Sequence, residues 1–550
     1  MKSFNIQAPR SRETPSAKIQ TPIRKLWGFR NHQREGLIAR EGIGSAPQYF
    51  GGYKSRLWNL RVGASVVFGA WILGLLLAGC AVGPNYHRPE TAAPASYKST
   101  NELGTWKEAA PLDNVPKGAW WEIFGDQTLN ELENEAAAAN QELKAAMSRV
   151  EQARATARVA RSELFPSLNA DPSFTRQRYS PNQVPNFGNV TANTWSVPLD
   201  LSYEIDIWGR VRRGFEGARA EAQGALAAFG NVLLTLQADV ARNYFTLRAL
   251  DAELATVTAT VELRHEQVRL VRSRFEGGIG NELDVARAET ELATTEADAA
   301  SLGQQRAELE NALAILEGAN PSTFKVTGVT DAGSTWTPKP PAVPAGLPAD
   351  LLERRPDVAE AERQLAAANA RIGVATAAFF PVVRLTGSGG YLSGDVETLF
   401  NWESRVWSIG PSVSLPIFAG GRNRANLEHS RAAYEESVAA YRQRILVAFG
   451  DVENSLSGVQ QLSLQAEAQA RAVANSKRAA ELASDRYRSG IVSYLEVVDA
   501  NREWLQAERS QAQLTGQRLA MSVQLIKSLG GGWTEKELFA KAQPPHASQP

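Results

Sequence analysis

The sequence predicts an α/β membrane protein: two β-hairpins with one apolar and one polar face, set between helices too long for an ordinary globular domain. The first observation is a repeat. Residues 195–206 recur at 407–418, 212 residues later, so that Trp195-Ser196 becomes Trp407-Ser408, Ser202 becomes Ser414, and Gly209-Arg210 becomes Gly421-Arg422. In both copies apolar residues alternate with small or polar ones: Trp195, Val197, Leu199, Leu201, Tyr203, Ile205 against Ser196, Asp200, Ser202, Glu204. That is a strand with one greasy and one wet face, the period of an outer-membrane barrel strand. The second observation is length. Residues 215–275 contain no Pro and are rich in Ala, Leu, Glu and Arg. A helix of about 60 residues is about 90 Å long and needs partners along its side. The third is that the register persists: Asp239-Val240 matches Asp451-Val452, Arg274 to Ile279 matches Arg486 to Ile491, and Leu283-Asp284-Val285 matches Leu495-Glu496-Val497. A whole unit has been duplicated.

The elements follow in order. Residues 1–79 read as a leader, with a signal peptide over about 54–79. Lys54, Arg56 and Arg61 precede an apolar run that stops at Leu77-Ala78-Gly79-Cys80, which resembles a bacterial lipobox with Cys80 as the acylated mature N-terminus. The upstream part is longer than a signal peptide needs, so either translation begins near 54–61 or the upstream residues form an unusual cytoplasmic extension. Residues 80–125, with Pro84, Pro89, Pro94, Pro111 and Pro116, read as an extended lipid-anchored tether. The first repeat spans 126–317: a helix over 126–164 ended by Phe165-Pro166, a hairpin over about 168–207 with strands near 168–179 and 195–207, and helices over about 215–275 and 283–316. Gly277-Gly278 makes the turn between those two helices. A Pro/Gly-rich linker fills 318–350. The second repeat, 351–529, opens a helix at Arg354-Arg355-Pro356-Asp357, with Pro in its first turn and Asp357 and Glu360 near its positive end. A hairpin over about 383–418 follows, with strands near 383–393 and 406–418. A long helix over 423–488, a turn at Gly490 and a last helix to Leu529 complete it, and 530–550 is a tail. Pro198, Pro411 and Pro416 stand against the strands, but the alternation survives around them.

Composition excludes several classes. Before Cys80 stand 12 Lys/Arg against 3 Asp/Glu; after it, 47 against 56. The mature part is mildly acidic, so nucleic acid is no expected partner. One Cys and five scattered His provide neither a disulfide framework nor metal-ligand spacing, and no cofactor is expected. No Ser/His/Asp constellation or phosphate-binding loop points to an enzyme. No apolar stretch after Cys80 reads as a spanning helix, so a membrane crossing requires a closed barrel.

Four segments, taken together, resemble the TolC/OprM-type outer-membrane efflux lipoproteins of resistance-nodulation-division (RND) systems, in their NodT-like branch. They are Gly79 to Tyr86 (GCAVGPNY), Tyr203 to Arg210 (YEIDIWGR), Glu353 to Val358 (ERRPDV) and Leu415 to Arg422 (LPIFAGGR). The resemblance covers about 80–535. It implies a homotrimer in which each protomer gives four strands to a twelve-stranded outer-membrane β-barrel, continuous with a long periplasmic α-helical barrel. Four strands alone leave open edges, which also demands oligomerisation. Lipid contact is expected for Trp195 and Trp407, near a membrane interface.

The resemblance also implies a periplasmic gate at the hairpin tips, whose turns hold Gly278 and Gly490. Leu495 matches an apolar constriction and Asp499 an acidic ring, with Glu496 a second acid. Leu495 and Asp499 are four apart and share a helix face. From the residues alone, Glu496 and Asp499 read as solvated charges on a surface helix; only the resemblance makes them a gate. In the first repeat Arg287 takes the place of Asp499. The implied function is a passive exit duct for small molecules (drugs, toxic compounds or metal ions), fed by an inner-membrane RND pump through a periplasmic adaptor, and anchored in outer-membrane lipid. Two alternatives stay open at this point: a secretion duct of the same fold for polypeptides, and a trimeric coiled-coil structural or adhesin protein.

Overall fold

The same local signals, written 212 residues apart, build the same helices twice. The computed structural model describes residues 81–90, 97–98, 119–182, 190–327, 338–341 and 355–531. The leader, Cys80, most of the linker and residues 532–550 lie outside the described residues, so the readings made there are not addressed by the fold. The helices are α1 (Gln127–Ala139), α2 (Gln141–Ser162), α3 (Arg210–Glu276), α4 (Glu282–Leu316), α5 (Pro356–Ala377), α6 (Arg422–Arg488) and α7 (Tyr494–Ser528). The strands are β1 (Ser167–Ala170), β2 (Ser173–Arg178), β3 (Thr191–Ile205), β4 (Val382–Ser393) and β5 (Arg405–Ser414). Each long helix starts behind a glycine, Gly209 at φ 79° and Gly421 at φ 84°, a region that suits a residue without Cβ. α3 and α6 then run 67 residues each, about 100 Å. α4 and α7 run 35 residues each.

The single helix expected over 126–164 is two. Asn140 accepts from Leu143 N at 2.8 Å and caps α2, while its amide donates to Leu316 O at 2.7 Å. That side chain breaks the helix and fixes the break to the end of α4. Asp126 caps α1 in the same way, accepting from Leu129 N at 3.1 Å.

The 80–125 segment does not hang as a tether where it is described. Val82 N donates to Trp208 O at 2.9 Å, Asn369 Nδ2 to Pro84 O at 3.0 Å, and Tyr86 OH to Glu362 at 3.0 Å. Gly83 lies so close to α5 that a Cβ there would meet Gly373 Cα at 2.5 Å. Residues Trp120–Phe124 form a 3-10 turn whose Trp120 and Trp121 are buried in the core. Buried aromatics of this size are each worth about 1.5–3 kcal/mol, so this segment is part of the fold.

The main core gathers Leu129, Val150, Val240, Tyr244, Tyr441 and Val452 from helices of both repeats. A smaller cluster, Val271, Ala288, Tyr494, Val497 and Val498, sits at the far end of the long helices. One 18-residue stretch of α3 is apolar enough to cross a membrane by length and composition, contrary to the sequence reading, but 56% of that stretch is buried inside the protein. Leu234, Leu236, Val240 and Leu247 of α3 are core residues. An apolar helix covered by its own protein is a core helix.

All strands join one antiparallel sheet, ordered β1-β3-β4-β5, with β2 also on β3. The hairpins of the two repeats meet through the β3–β4 pair, which runs from Trp195↔Ser393 to Ile205↔Val383. The strand expected near 168–179 is interrupted at Asp171-Pro172, and Pro198 of β3 stands opposite that gap, between Ser196 on β2 and Leu199 on β1. The strand expected over 406–418 stops at Ser414, whose partner is Val382. Pro381 precedes Val382, so no partner remains for Leu415 onward, and Ile417 and Phe418 stand exposed at 93% and 90%. The alternation overran because it reports facing, while a strand also needs a neighbour.

Candidate functional site

The site has two ends. At one end the sheet register sorts side chains by face. Opposed residues share a face, so Trp195, Leu199, Leu201 and Tyr203 of β3 lie with Leu385 and Tyr391 of β4 and with Trp407, Ile409 and Val413 of β5. The opposite face carries Asp200, Ser202, Glu204, Arg384, Thr386, Ser388, Ser408 and Ser412. Trp195 and Trp407 therefore share the apolar face. Trp407 is 80% exposed, and Trp195 rests on Phe174 with ring centroids 4.4 Å apart. The outer edges of β1, β2 and β5 have no partner strand among the described residues. Such edges cannot stand in lipid, because each unpaired backbone group costs several kcal/mol there, roughly.

Between sheet and helices lies a rigid joint. Glu204 receives Arg210 Nε at 2.7 Å and Nη2 at 3.0 Å. Asp206 accepts from Val211 N at 3.1 Å and Arg212 N at 2.9 Å, which satisfies the first turn of α3. Trp208 Nε1 donates to Pro381 O at 2.9 Å, and its ring stacks on Phe380 at 4.6 Å. The segment YEIDIWGR thus clamps the end of β3 to the start of β4. Further along, Arg355 grips Asp357 through two bonds of 2.9 and 2.7 Å, and reaches Asp451 at 3.0 Å and Ser528 O at 3.3 Å. The Arg-Pro-Asp segment therefore ties the start of α5 to α6 and to the end of α7.

At the other end are the helix tips. Gly278 and Gly490 both sit at φ 75°. Ile279 N donates to Arg274 O at 3.0 Å and Ile491 N to Arg486 O at 2.9 Å, the helix-ending pattern that a left-handed residue permits. The two turns are brought together: the Arg274 guanidinium lies 4.7 Å from the Tyr487 ring centroid. Leu495, Glu496 and Asp499 all lie on the exposed face of α7, while Tyr494, Val497, Val498 and Asn501 face inward. Leu495 is 41% exposed, and Asp499 stands 4.0 Å from Arg502.

Charged residues that the sequence reading did not single out hold this tip. Glu291 of α4, 7% exposed, takes the Arg502 guanidinium from α7 and lies 3.5 Å from Arg264 of α3, itself 1% exposed. Burial pulls the Arg264 pKa down, and Glu291 opposes that shift. Higher up, Arg509 of α7 bonds Glu253 of α3 at 2.8 Å and Asp298 of α4 at 3.0 Å. The available signal was spacing: Arg502 and Arg509 follow Asp499 and Leu495 at helical intervals.

A sheet with one apolar face, open edges and long helices fixed to its base defines an outer-membrane channel protein. Comparison with known proteins agrees. Residues 132–319 and 347–531 match the outer membrane efflux protein family, and the chain belongs to it. The toluene efflux pump outer membrane protein TtgI of Pseudomonas putida is 35% identical over 461 residues, covering 84% of this chain and 97% of TtgI. The cation efflux system protein CusC of Escherichia coli O157:H7 is 32% identical over 463 residues, covering 84% of this chain and 98% of CusC. Among solved structures, the outer-membrane channel OprN superposes with a TM-score of 0.75 at 32% identity, covering 82% of this chain and all of OprN. The CmeC outer membrane channel of Campylobacter jejuni gives a TM-score of 0.77 at 26% identity, over 84% of this chain and 98% of CmeC. The chain is an outer-membrane channel protein of an efflux system.

Proposed function

We propose that three copies of this chain close a twelve-stranded barrel and a helical conduit, a passive exit duct for small molecules delivered by an inner-membrane RND pump through a periplasmic adaptor. The observation that carries this reading is the sheet: four strand columns, one face apolar, both edges open. Closure by two further copies pairs every edge and turns Asp200, Glu204 and Arg384 towards a wet lumen. Small molecules fit the names of the relatives, toluene for TtgI and cations for CusC. On this reading Leu495 and Asp499 of three protomers form a closed ring at the periplasmic end, with Glu496 beside it. Cys80 is the acylated N-terminus, one residue before the strap that begins at Ala81 against Gly209.

Tryptophan quenching in lipid tests the sheet. Brominated acyl chains should quench Trp407 and Trp195 in single-tryptophan variants, and a trimeric mass should persist in mild detergent. Unquenched Trp407 in a monodisperse monomer would sink the barrel reading. Mass spectrometry of the membrane-purified protein tests the anchor: acylated Cys80 at the N-terminus is the expected species, and a retained leader would refute it.

A further inference from the structure

The two repeats correspond through two fixed offsets. The pattern of β3 returns in β5 after 212 positions. Helices α2 (Gln141–Ser162) and α5 (Pro356–Ala377) are both 22 residues long, start 215 positions apart, and are followed by Phe165-Pro166 and Phe380-Pro381. The hairpin registers keep both offsets: Ser167↔Ser202 of the first hairpin becomes Val382↔Ser414 of the second. The β3–β4 pair joins the first repeat to the second. Its counterpart would join β5 to β1 and β2. Within one protomer these strands stand at opposite ends of the sheet order, so only another copy can supply that pair.

We infer that the seam between protomers repeats the β3–β4 register, with residues 407–418 of one copy running antiparallel to residues 167–178 of the next. Trp195↔Ser393 becomes Trp407 opposite the partner's Arg178, and Ile205↔Val383 becomes Ile417 opposite the partner's Leu168. The inference rests on the trimeric reading above and adds to it which residues meet.

Three observations that played no part in the offsets agree with this register. The first is length. Residues 407–418 meet 167–178, the full span from the start of β1 to the end of β2. Leu415 to Phe418, which β4 leaves without a neighbour, fall opposite the partner's Ala170 to Ser167. Ile417 and Leu168, 93% and 64% exposed in the protomer, then cover each other. The second is facing. Opposed residues share a face, so Ile409, Val413 and Ile417 lie with the face of β1 and β2 that carries Leu168 and Phe174, and Phe174 already rests on Trp195 of the apolar face. A register moved by one residue would turn those apolar side chains to the polar face. At the loop end the same face carries Arg176 and Arg178, whose long stems suit a membrane rim. The third is a glycine. Gly390 opposite Pro198 has no room for a Cβ. In the seam this pair becomes Thr175 opposite Gly410, where a Cβ would meet nothing within 4 Å in the protomer. The glycine has moved to the other strand, so the seam pair again includes one residue without a side chain.

Disulfide trapping in the outer-membrane fraction tests the register. Directly opposed residues have Cα atoms about 4.5–5.5 Å apart, within disulfide reach, whereas diagonal neighbours stand about 7–8 Å apart, beyond it. Ser412 and Ser173 are opposed in the proposed seam, and both are exposed in the protomer. The full-length Ser412→Cys/Ser173→Cys protein, oxidised with copper phenanthroline, should give a covalent trimer that reduction reverses. Ser414→Cys/Ser173→Cys, displaced by two residues on the same face, should link about tenfold less. Ile417→Cys/Leu168→Cys should link as well as the first pair, and Leu415→Cys/Leu168→Cys should not. Each single-cysteine variant retains Cys80 and should give no link. Equal or stronger linkage in the displaced pairs overturns the register while the trimer stands. No linkage in any pair of a protein whose mass in mild detergent is trimeric shows that other strands form the seam. A monomeric mass would instead remove the trimeric reading itself, and the register with it.

Discussion

The Arg502 guanidinium of α7 is bonded to the Glu291 carboxylate of α4, across the two helical hairpins, and Glu291 is shared with Arg264 of α3. The three partners are unequally buried. Arg502 is more than half exposed, whereas Glu291 and Arg264 are almost wholly buried. Arg502→Ala should therefore change global stability by only about 1 kcal/mol or less. Glu291→Ala strands the buried Arg264 and should lose about 3–5 kcal/mol. Both remove a link between α7 and the first hairpin, so both should raise resting conductance in planar bilayers. Thermal unfolding of the trimer separates the two effects. Equal stability losses in the two variants would show that the burial argument is wrong.

Gly390 of β4 is opposed to Pro198 of β3. A Cβ at Gly390 would fall 2.1 Å from Val197 O and 2.8 Å from Pro198 Cα, while a Cβ at Gly389 would meet nothing within 4 Å. These are backbone atoms, so the strands themselves must separate. Gly390→Ala should destabilise the sheet by about 1–3 kcal/mol and slow trimer assembly. Gly389→Ala should assemble like the parent. Folding yield and the heat-resistant trimer band on gels measure both, and a normal Gly390→Ala trimer would contradict the register.

Much of this was legible in the sequence, and the reasons differ by element. The long helices were visible because Ala-rich, Pro-free runs end at Gly277-Gly278 and Gly490, and Gly278 and Gly490 do adopt positive φ. The two hairpins were visible from the alternation around Trp195 and Trp407. The break at Asn140 was not, because a capping asparagine inside an apolar-periodic run looks like any polar residue until its partner, Leu316 O, is known. The docking of Ala81 to Pro89 was hidden by prolines that signal extension but not attachment. At the tip, Leu495 and Asp499 were found through resemblance. Arg502, Glu291 and Arg264 come together only through packing between helices distant in the chain, with Arg502 and Glu291 separated by 211 positions.

Glu317, at the C-terminal end of α4, is 3% exposed and faces the Glu135 carboxyl of α1. Burial first, and then Glu135, push its pKa up from 4.5 to about 7. Glu133, fully buried with neither carboxylate oxygen bonded, is shifted the same way by burial. A raised carboxyl pKa means that the folded state holds its proton where the unfolded chain has released it. Its contribution is fully present below the unfolded value of 4.5, declines as pH rises, and is gone above about 7. For Glu317 the change is at most about 3 kcal/mol over that interval. The trimer should therefore melt at higher temperature at pH 5 than at pH 7.5. Glu317→Gln should flatten that difference and raise the melting temperature at pH 7.5. An unchanged pH slope in Glu317→Gln would assign the effect elsewhere.

Asp499 and Leu495 share the exposed face of α7, with Leu495 41% exposed. On the proposed reading each becomes a ring around the three-fold axis. Three carboxylates on one narrow axis repel unless water or cations reach them, and such a ring favours cations. Asp499→Ala should weaken cation preference in bilayer recordings and modestly raise conductance. If Leu495 forms the proposed constriction, Leu495→Ala removes its bulk and should raise resting conductance further. Leu495→Phe supplies the opposite test, since added bulk should lower it. Glu496→Gln should matter less than Asp499→Ala, because Glu496 is one residue beyond Leu495 and so about 100° around the helix from it. If trimers of Asp499→Ala and Leu495→Ala conduct and select like the parent, these side chains are ordinary solvated residues of a surface helix, and the closed point of the conduit lies elsewhere along it.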